Sequence, residues 1–97
     1  METSNHYVQL LRKFVREHGE EYGITRMGIF GSISRNEQTN TSDLDIYYEG
    51  PVIDLLDPRN LQSDLEKLLG IRVDLIRKHK YMHPTFLKRI TKDMIYV

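Results

Sequence analysis

The stretch that decides the fold is residues 31–46, which read GSISRNEQTNTSDLDI. A short apolar run, residues 26–30, precedes it and stops at the Gly-Ser pair, which predicts a buried strand entering a tight turn and a short helix at 33–35. The wholly polar residues 36–42 predict a surface loop. Residues 43–49 alternate and are rich in strand formers, so they predict a second strand.

Helical patterns lie on both sides of this stretch. Residues 4–22 carry apolar side chains at helical spacing and predict an amphipathic helix. A second helix is predicted over 58–69, with Asp57 as its N-cap, Pro58 in its first turn and Gly70 at its left-handed C-terminal end.

The last part of the chain predicts a third strand over 71–76, a helix from Pro84 and a short edge strand at 95–97. The inward-facing side chains of that helix are expected to be Phe86, Leu87 and Ile90. The element order therefore predicts an α+β protein, an α/β sandwich in which helices cover one face of a small mixed sheet. Residues 1–97 fit one domain.

Composition excludes several classes of protein. The chain has no cysteine, which rules out disulfides, thiolate metal sites and cysteine nucleophiles. No apolar run approaches the roughly 18–20 residues of a membrane span. The N-terminal residues lack the basic-then-apolar order of a secretory signal. A cytoplasmic location without membrane association is the expectation.

Charge is balanced overall but unevenly distributed. The net charge is +0, whereas residues 71–97 hold seven Lys/Arg against two Asp/Glu. Such a segment can face nucleic acid or an acidic partner, or it can simply be a solvated surface. Direct nucleic-acid binding is therefore allowed but not favoured.

Three aspartates, Asp43, Asp45 and Asp74, are expected on one face of the sheet. Because side chains alternate along a strand, Asp43 and Asp45 project together, and Asp74 stands opposite the apolar residues of its own strand. Neighbouring carboxylates repel, and Mg²⁺, which prefers oxygen ligands, would relieve that repulsion. Two such ions about 3.5–4 Å apart can clamp an in-line phosphoryl displacement. Aspartates at strand ends more often simply face solvent, so this pattern alone does not establish a Mg²⁺ site.

The Gly31-Ser32 pair adds a second, independent signal. Glycine at a strand-to-helix turn lets backbone N–H groups approach a phosphate, and the serine hydroxyl can add a hydrogen bond. A Gly-Ser pair alone is weak evidence, since turns are rich in both residues. Its value lies in its distance from the aspartates.

The Gly-Ser pair at 31–32, ten intervening residues and Asp-Leu-Asp at 43–45 match the GS-x10-D-x-D signature of the polymerase-β-like nucleotidyltransferase superfamily. The chain resembles the smallest branch of that superfamily, the minimal nucleotidyltransferase (MNT) domains. Val-Asp-Leu at 73–75 falls where that family has its third carboxylate. The His-Pro start of the last helix at 83–84 and the terminal residues 95–97 are also similar, so the resemblance covers nearly the whole chain.

The resemblance implies a polymerase-β-like nucleotidyltransferase fold and transfer of a nucleotide from ATP to a hydroxyl group. It implies two Mg²⁺ ions, both held by Asp43 and Asp45. Asp74 would complete the site around the ion on the nucleophile side and help to accept the hydroxyl proton.

The resemblance also assigns the phosphate-binding residues. Ser32 and the backbone N–H groups of the turn that begins at Gly31 would hold the β- and γ-phosphates. Arg35 would neutralise triphosphate charge, or else form a salt bridge to the polar loop; both remain open. Asn36 stands where many MNT sequences have glycine, and since asparagine tolerates a left-handed backbone, the turn is expected to survive.

MNT proteins are typically paired with HEPN proteins, which are RNA-cleaving toxins. The resemblance thus implies an antitoxin that forms a hetero-oligomer with a HEPN toxin and attaches AMP to a toxin tyrosine. Two alternatives stay open. One is a non-catalytic module that neutralises its partner by binding, and the other is a nucleotidyltransferase subunit that acts on a small molecule or an RNA end.

Overall fold

The computed structural model describes residues 3–52 and 60–97. Its elements follow the predicted order, with α2 beginning two residues earlier than expected. They are α1 (Ser4–Tyr22), β1 (Arg26–Phe30), α2 (Gly31–Ser34), β2 (Leu44–Glu49), α3 (Leu61–Leu69), β3 (Val73–Arg77), α4 (Pro84–Lys92) and β4 (Ile95–Tyr96). Within those two ranges, no helix has the length and apolar character needed to cross a membrane.

The four strands form the small mixed sheet that the sequence predicts, in the order β3-β2-β1-β4. β1 pairs antiparallel with both β2 and β4, whereas β2 and β3 are parallel and α3 lies between them in the chain. The parallel register places Asp45 beside Asp74, and the antiparallel register places Phe30 beside Asp45. The end of β1 and the starts of β2 and β3 therefore meet at one end of the sheet.

One face of the sheet is covered by α1 and α3. The main core contains Leu11 of α1, Leu65 of α3, and Ile29 and Ile46 of the central strands, all fully buried. The apolar stripe predicted for α1 therefore faces the sheet, and in α3 Leu61, Leu65 and Leu69 are buried whereas Leu68 is 41% exposed. Burial of such side chains is the main favourable term for a domain of this size.

The opposite face carries a second, smaller apolar cluster. There Phe30 and Tyr47 pack with Ile90 of α4, and Phe86 packs against the same group. The expectation that helices cover one face holds for α1 and α3, but α4 lies on the carboxylate face. The reason is that this face is not wholly polar, and its apolar part needs a cover.

The start of α3 also differs from the prediction. The helix begins at Leu61, and Asn60 is its N-cap, with its side-chain oxygen accepting a hydrogen bond from Ser63 N at 3.0 Å. The predicted cap Asp57 and first-turn Pro58 lie outside the described residues. Gly70 ends the helix with a φ of 68°, as predicted.

Side chains from α3 cover the outer edge of β3 at its first residue, Val73. The Val73 N–H donates to Glu66 Oε2 at 2.9 Å, and Gln62 Nε2 donates to the Val73 carbonyl at 3.1 Å. Both backbone groups of Val73 that point away from β2 are therefore satisfied by one helix.

Candidate active site

Gly31 brings the strand-to-helix turn into direct contact with a carboxylate. Its φ is 77°, in the left-handed region that favours glycine. A Cβ placed on Gly31 would overlap Asp45 Oδ2 and lie 3.1 Å from Asp45 Cγ. There is no room for a Cβ between the backbone at position 31 and the Asp45 carboxylate, so the turn can lie this close to the carboxylate only with glycine at position 31.

Asp45 and Asp74 form the centre of the carboxylate cluster. Burial raises the pKa of Asp45 from 3.8 to about 6, with further contributions from the charges of Asp74 and Asp43 and from a hydrogen bond to Asp74. The charges of Asp74 and Asp43 thus add to burial in opposing the ionisation of Asp45.

Asp43 immediately precedes β2 and is more exposed than Asp45. Its Oδ1 is 3.2 Å from Arg72 Nε, whose own side chain is 75% exposed. An ion pair this exposed contributes at most about 1 kcal/mol, so ligand binding can replace it at little cost. The sequence signal for this pair is an arginine two residues before Asp74, which becomes informative only once β2 and β3 are known to be parallel neighbours.

The donor set suits Mg²⁺ better than a softer metal. Within residues 3–52 and 60–97, no three His, Cys, Asp or Glu side chains already converge as a complete metal site. Mg²⁺ does not require one, because it commonly binds one or two carboxylates and takes its remaining oxygens from water and substrate phosphates. The repulsion around Asp45 is what a divalent cation would relieve.

Ser32 points from the turn toward the loop that leads into β2. Its Oγ lies 3.5 Å from Ser42 Oγ, which in turn accepts a hydrogen bond from Thr39 N at 2.9 Å. The Ser34 hydroxyl donates to the Gly31 carbonyl at 2.6 Å and so fixes the turn. The contact of Ser42 with Ser32 could not be predicted from the sequence, because serines in polar loops carry no signal by themselves.

Arg35 follows α2 and makes two ion pairs. Its Nε lies 3.0 Å from Glu37 Oε2, and a terminal nitrogen lies 3.4 Å from Asp93 Oδ2. The salt bridge to the polar loop is therefore present. Asn36 has a φ of 56°, which confirms that it adopts the left-handed turn, and its Oδ1 also accepts a hydrogen bond from Ser4 N at 2.9 Å.

The raised pKa of Asp45 predicts that Asp45→Asn stabilises the metal-free protein at neutral pH. Between about pH 4 and 6 the folded chain keeps a proton on Asp45 that the unfolded chain has lost, so stability falls as the pH rises through that window. At about pH 7.5 we expect the variant to melt roughly 4–8 °C higher, or about 1 kcal/mol after allowance for the exposed part of the side chain. Thermal unfolding followed by circular dichroism measures this.

The same melting series at about pH 3.5 is the internal control, because both proteins are then uncharged at position 45 and the difference should vanish. A difference that stays constant across the pH range would show that the carboxylate is not the cause.

The sequence profile described as nucleotidyltransferase domain matches residues 8–97. A candidate protein adenylyltransferase of Methanocaldococcus jannaschii is 44% identical to this chain over 100 aligned positions, which cover 100% of both proteins. The protein adenylyltransferase MntA of Thermococcus cleftensis is 34% identical over 98 positions, covering 100% of this chain and 98% of MntA.

Solved structures share the fold. That of a candidate minimal nucleotidyltransferase superposes with a TM-score of 0.69 at 25% identity, covering 97% of this chain and 95% of the other. A crystal structure of a toxin–antitoxin with AMP-PNP gives a TM-score of 0.64 at 21% identity, covering 96% of this chain and 70% of the other. The second likeness concerns the fold alone.

Proposed function

The chain belongs to the nucleotidyltransferase domain family, and we propose that it transfers AMP from ATP to a hydroxyl group of a partner protein. Membership confirms the resemblance read from residues 31–46 and the polymerase-β-like fold class. The observation that carries the proposal is the contact of the Gly31 turn with Asp45, beside Asp74. A turn able to hold phosphates and a carboxylate cluster able to hold Mg²⁺ then share one end of the sheet.

In the proposed reaction, the acceptor oxygen bonds to the α-phosphorus while the bond from that phosphorus to the α–β bridging oxygen breaks. Pyrophosphate leaves with the electron pair, and Asp74 would help to accept the hydroxyl proton. Asp43 and Asp45, with Asp74, would hold Mg²⁺, which when bound supplies positive charge to the reacting phosphate oxygens. The rate enhancement would come from orienting the reactants and stabilising charge in the transition state, rather than from a covalent enzyme intermediate.

The remaining residues would orient the triphosphate. Ser32 and the backbone N–H groups of the turn that begins at Gly31 would donate to phosphate oxygens. Arg35 would add charge once a phosphate competes with its present partners, Glu37 and Asp93. With the terminal phosphates held at the turn and Mg²⁺ held at the carboxylates, the α-phosphate would lie between these two sites.

Relatives support a protein as the acceptor. Two full-length relatives carry the name protein adenylyltransferase, one of them MntA. A fold neighbour was solved as a toxin–antitoxin with AMP-PNP. We therefore propose that the partner is a toxin of the HEPN class, that the acceptor is one of its tyrosines, and that modification neutralises it.

Intact-mass spectrometry of a candidate partner toxin, taken first from the gene next to the one for this chain, tests the proposal. After incubation with this chain, ATP and Mg²⁺, the partner should gain one or more AMP units, and a chelator should prevent the gain. Replacing the modified tyrosine by phenylalanine should also remove it. A tight complex with no mass gain would contradict the proposed transferase activity and favour a non-catalytic module that neutralises its partner by binding.

A further inference from the structure

A cavity of about 250 Å³ lies between α2 and α4, beside Gly31. Its floor is apolar and consists of Phe30, Phe86 and Ile90, and its charged lining residues are Arg35, Arg89 and Asp93. Gly31 also lines it, so the cavity adjoins the turn whose backbone touches Asp45. α4 therefore brings charged side chains to the edge of the proposed nucleotide site.

The two arginines that line this cavity differ in their ion pairs. Arg35 is engaged by Asp93 and by Glu37 of the loop. Arg89 is exposed, and within the described ranges, 3–52 and 60–97, it makes no ion pair. An arginine fork without a carboxylate partner is well suited to bind a phosphate in two-pronged fashion.

We propose that this cavity binds the terminal phosphates of the nucleotide, with Arg89 as a ligand and Asp93 as the carboxylate that those phosphates displace from Arg35. The inference rests on the proposed function, since it places the leaving pyrophosphoryl group. Arg89 and Arg35 then hold it from two sides, α4 and the end of α2. Asp93 keeps Arg35 oriented toward the cavity when no nucleotide is present.

This arrangement predicts that loss of Arg89 weakens the binding of ATP but not that of AMP. Both ligands carry the α-phosphate and the base, but only ATP and inorganic pyrophosphate have the group that Arg89 would contact. If the cavity instead held the adenine base against Phe86, loss of the Arg89 guanidinium would weaken ATP and AMP alike.

Calorimetric titration of ATP, AMP and inorganic pyrophosphate, each with Mg²⁺, tests the inference without an acceptor protein. Arg89→Ala should raise the Kd for ATP and for pyrophosphate about tenfold to a hundredfold, the usual effect of losing a charged hydrogen bond, and leave the AMP value within about twofold. Arg89→Lys should recover part of the loss, because the charge returns without the fork. Asp93→Asn should tighten ATP roughly threefold, since it removes a competing anion.

Lys88→Ala is the matched control, because it removes the same charge from the same helix at a position that does not line the cavity. Melting curves establish that each variant is folded. ATP affinity in Arg89→Ala equal to that in Lys88→Ala would overturn the inference, and so would equal losses for ATP and AMP. If transfer to the partner occurs while Arg89→Ala binds ATP normally, only this inference fails. If no transfer occurs yet Arg89→Ala binds ATP selectively worse, only the proposed acceptor chemistry fails.

Discussion

Replacing both Asp43 and Asp45 by asparagine should abolish transfer to the partner while leaving the domain folded. Asparagine keeps the size of the side chain but removes the charge that would hold Mg²⁺, so two of the three proposed ligands are lost. Loss of one well-placed charge-stabilising group commonly costs about 10²–10³ in rate, so both together should cost at least about a thousandfold. Initial rates of AMP addition, followed by the intact mass of the partner, measure the effect.

A control variant separates this effect from a general change in charge. Glu17→Gln with Glu20→Gln also removes two negative charges, but from exposed positions on α1, across the sheet from the carboxylate face. It should keep full activity. The aspartate variant should melt no lower than the unaltered protein, because burial and the charges of Asp74 and Asp43 disfavour the ionised form of Asp45. Modification at a normal rate in the aspartate variant would refute the enzymatic assignment.

Gly31→Ala should have the second largest effect, because it acts on backbone and site together. The left-handed φ of 77° costs a residue with a Cβ about 1 kcal/mol or more. In addition, the new methyl group would overlap Asp45 Oδ2 and push the carboxylate or the turn out of place. We expect a loss of transfer of at least about a hundredfold, since small misplacements at a reacting centre have that effect.

Gly70→Ala distinguishes the two causes. Gly70 has nearly the same backbone, with a φ of 68°, but a Cβ there would meet nothing within 4 Å. This variant should therefore lose about 1 kcal/mol of stability and retain its activity. If Gly31→Ala loses no more activity than Gly70→Ala, then the contact between the turn and Asp45 is not important for transfer.

Much of the site could be predicted from local pattern. Alternation along the two strands predicts that the aspartates share a face, the register puts Asp45 beside Asp74, and the Gly-Ser pair marks the end of β1. The alternation and the Gly-Ser pair depend on neighbouring residues only. The parallel register of Asp45 with Asp74 depends on how α3 crosses between two strands, and no short pattern encodes it. The pairing of Asp43 with Arg72 is a consequence of that register.

The position of α4 shows the same limit. Helical spacing indicated which of its side chains point inward, such as Ile90, but not which face of the sheet they meet. The residue that indicates the face is Tyr47 of β2. It shares a face with Asp45, so an apolar partner, Ile90 of α4, covers it on the carboxylate face. Helix α3 begins at Leu61 rather than at 58, because Asn60 caps it, and asparagine is as good a helix cap as aspartate.

The side-chain cover on β3 bears on how the protein behaves at high concentration. An unpaired sheet edge offers N–H and C=O groups to any other extended chain and so promotes aggregation. Here Gln62 and Glu66 occupy the outward-facing groups of Val73, and Glu66 adds a negative charge that a docking strand would have to bury. The helix that completes the core thus also hinders intermolecular strand pairing at the start of β3, and so makes self-association through this edge of the sheet less favourable.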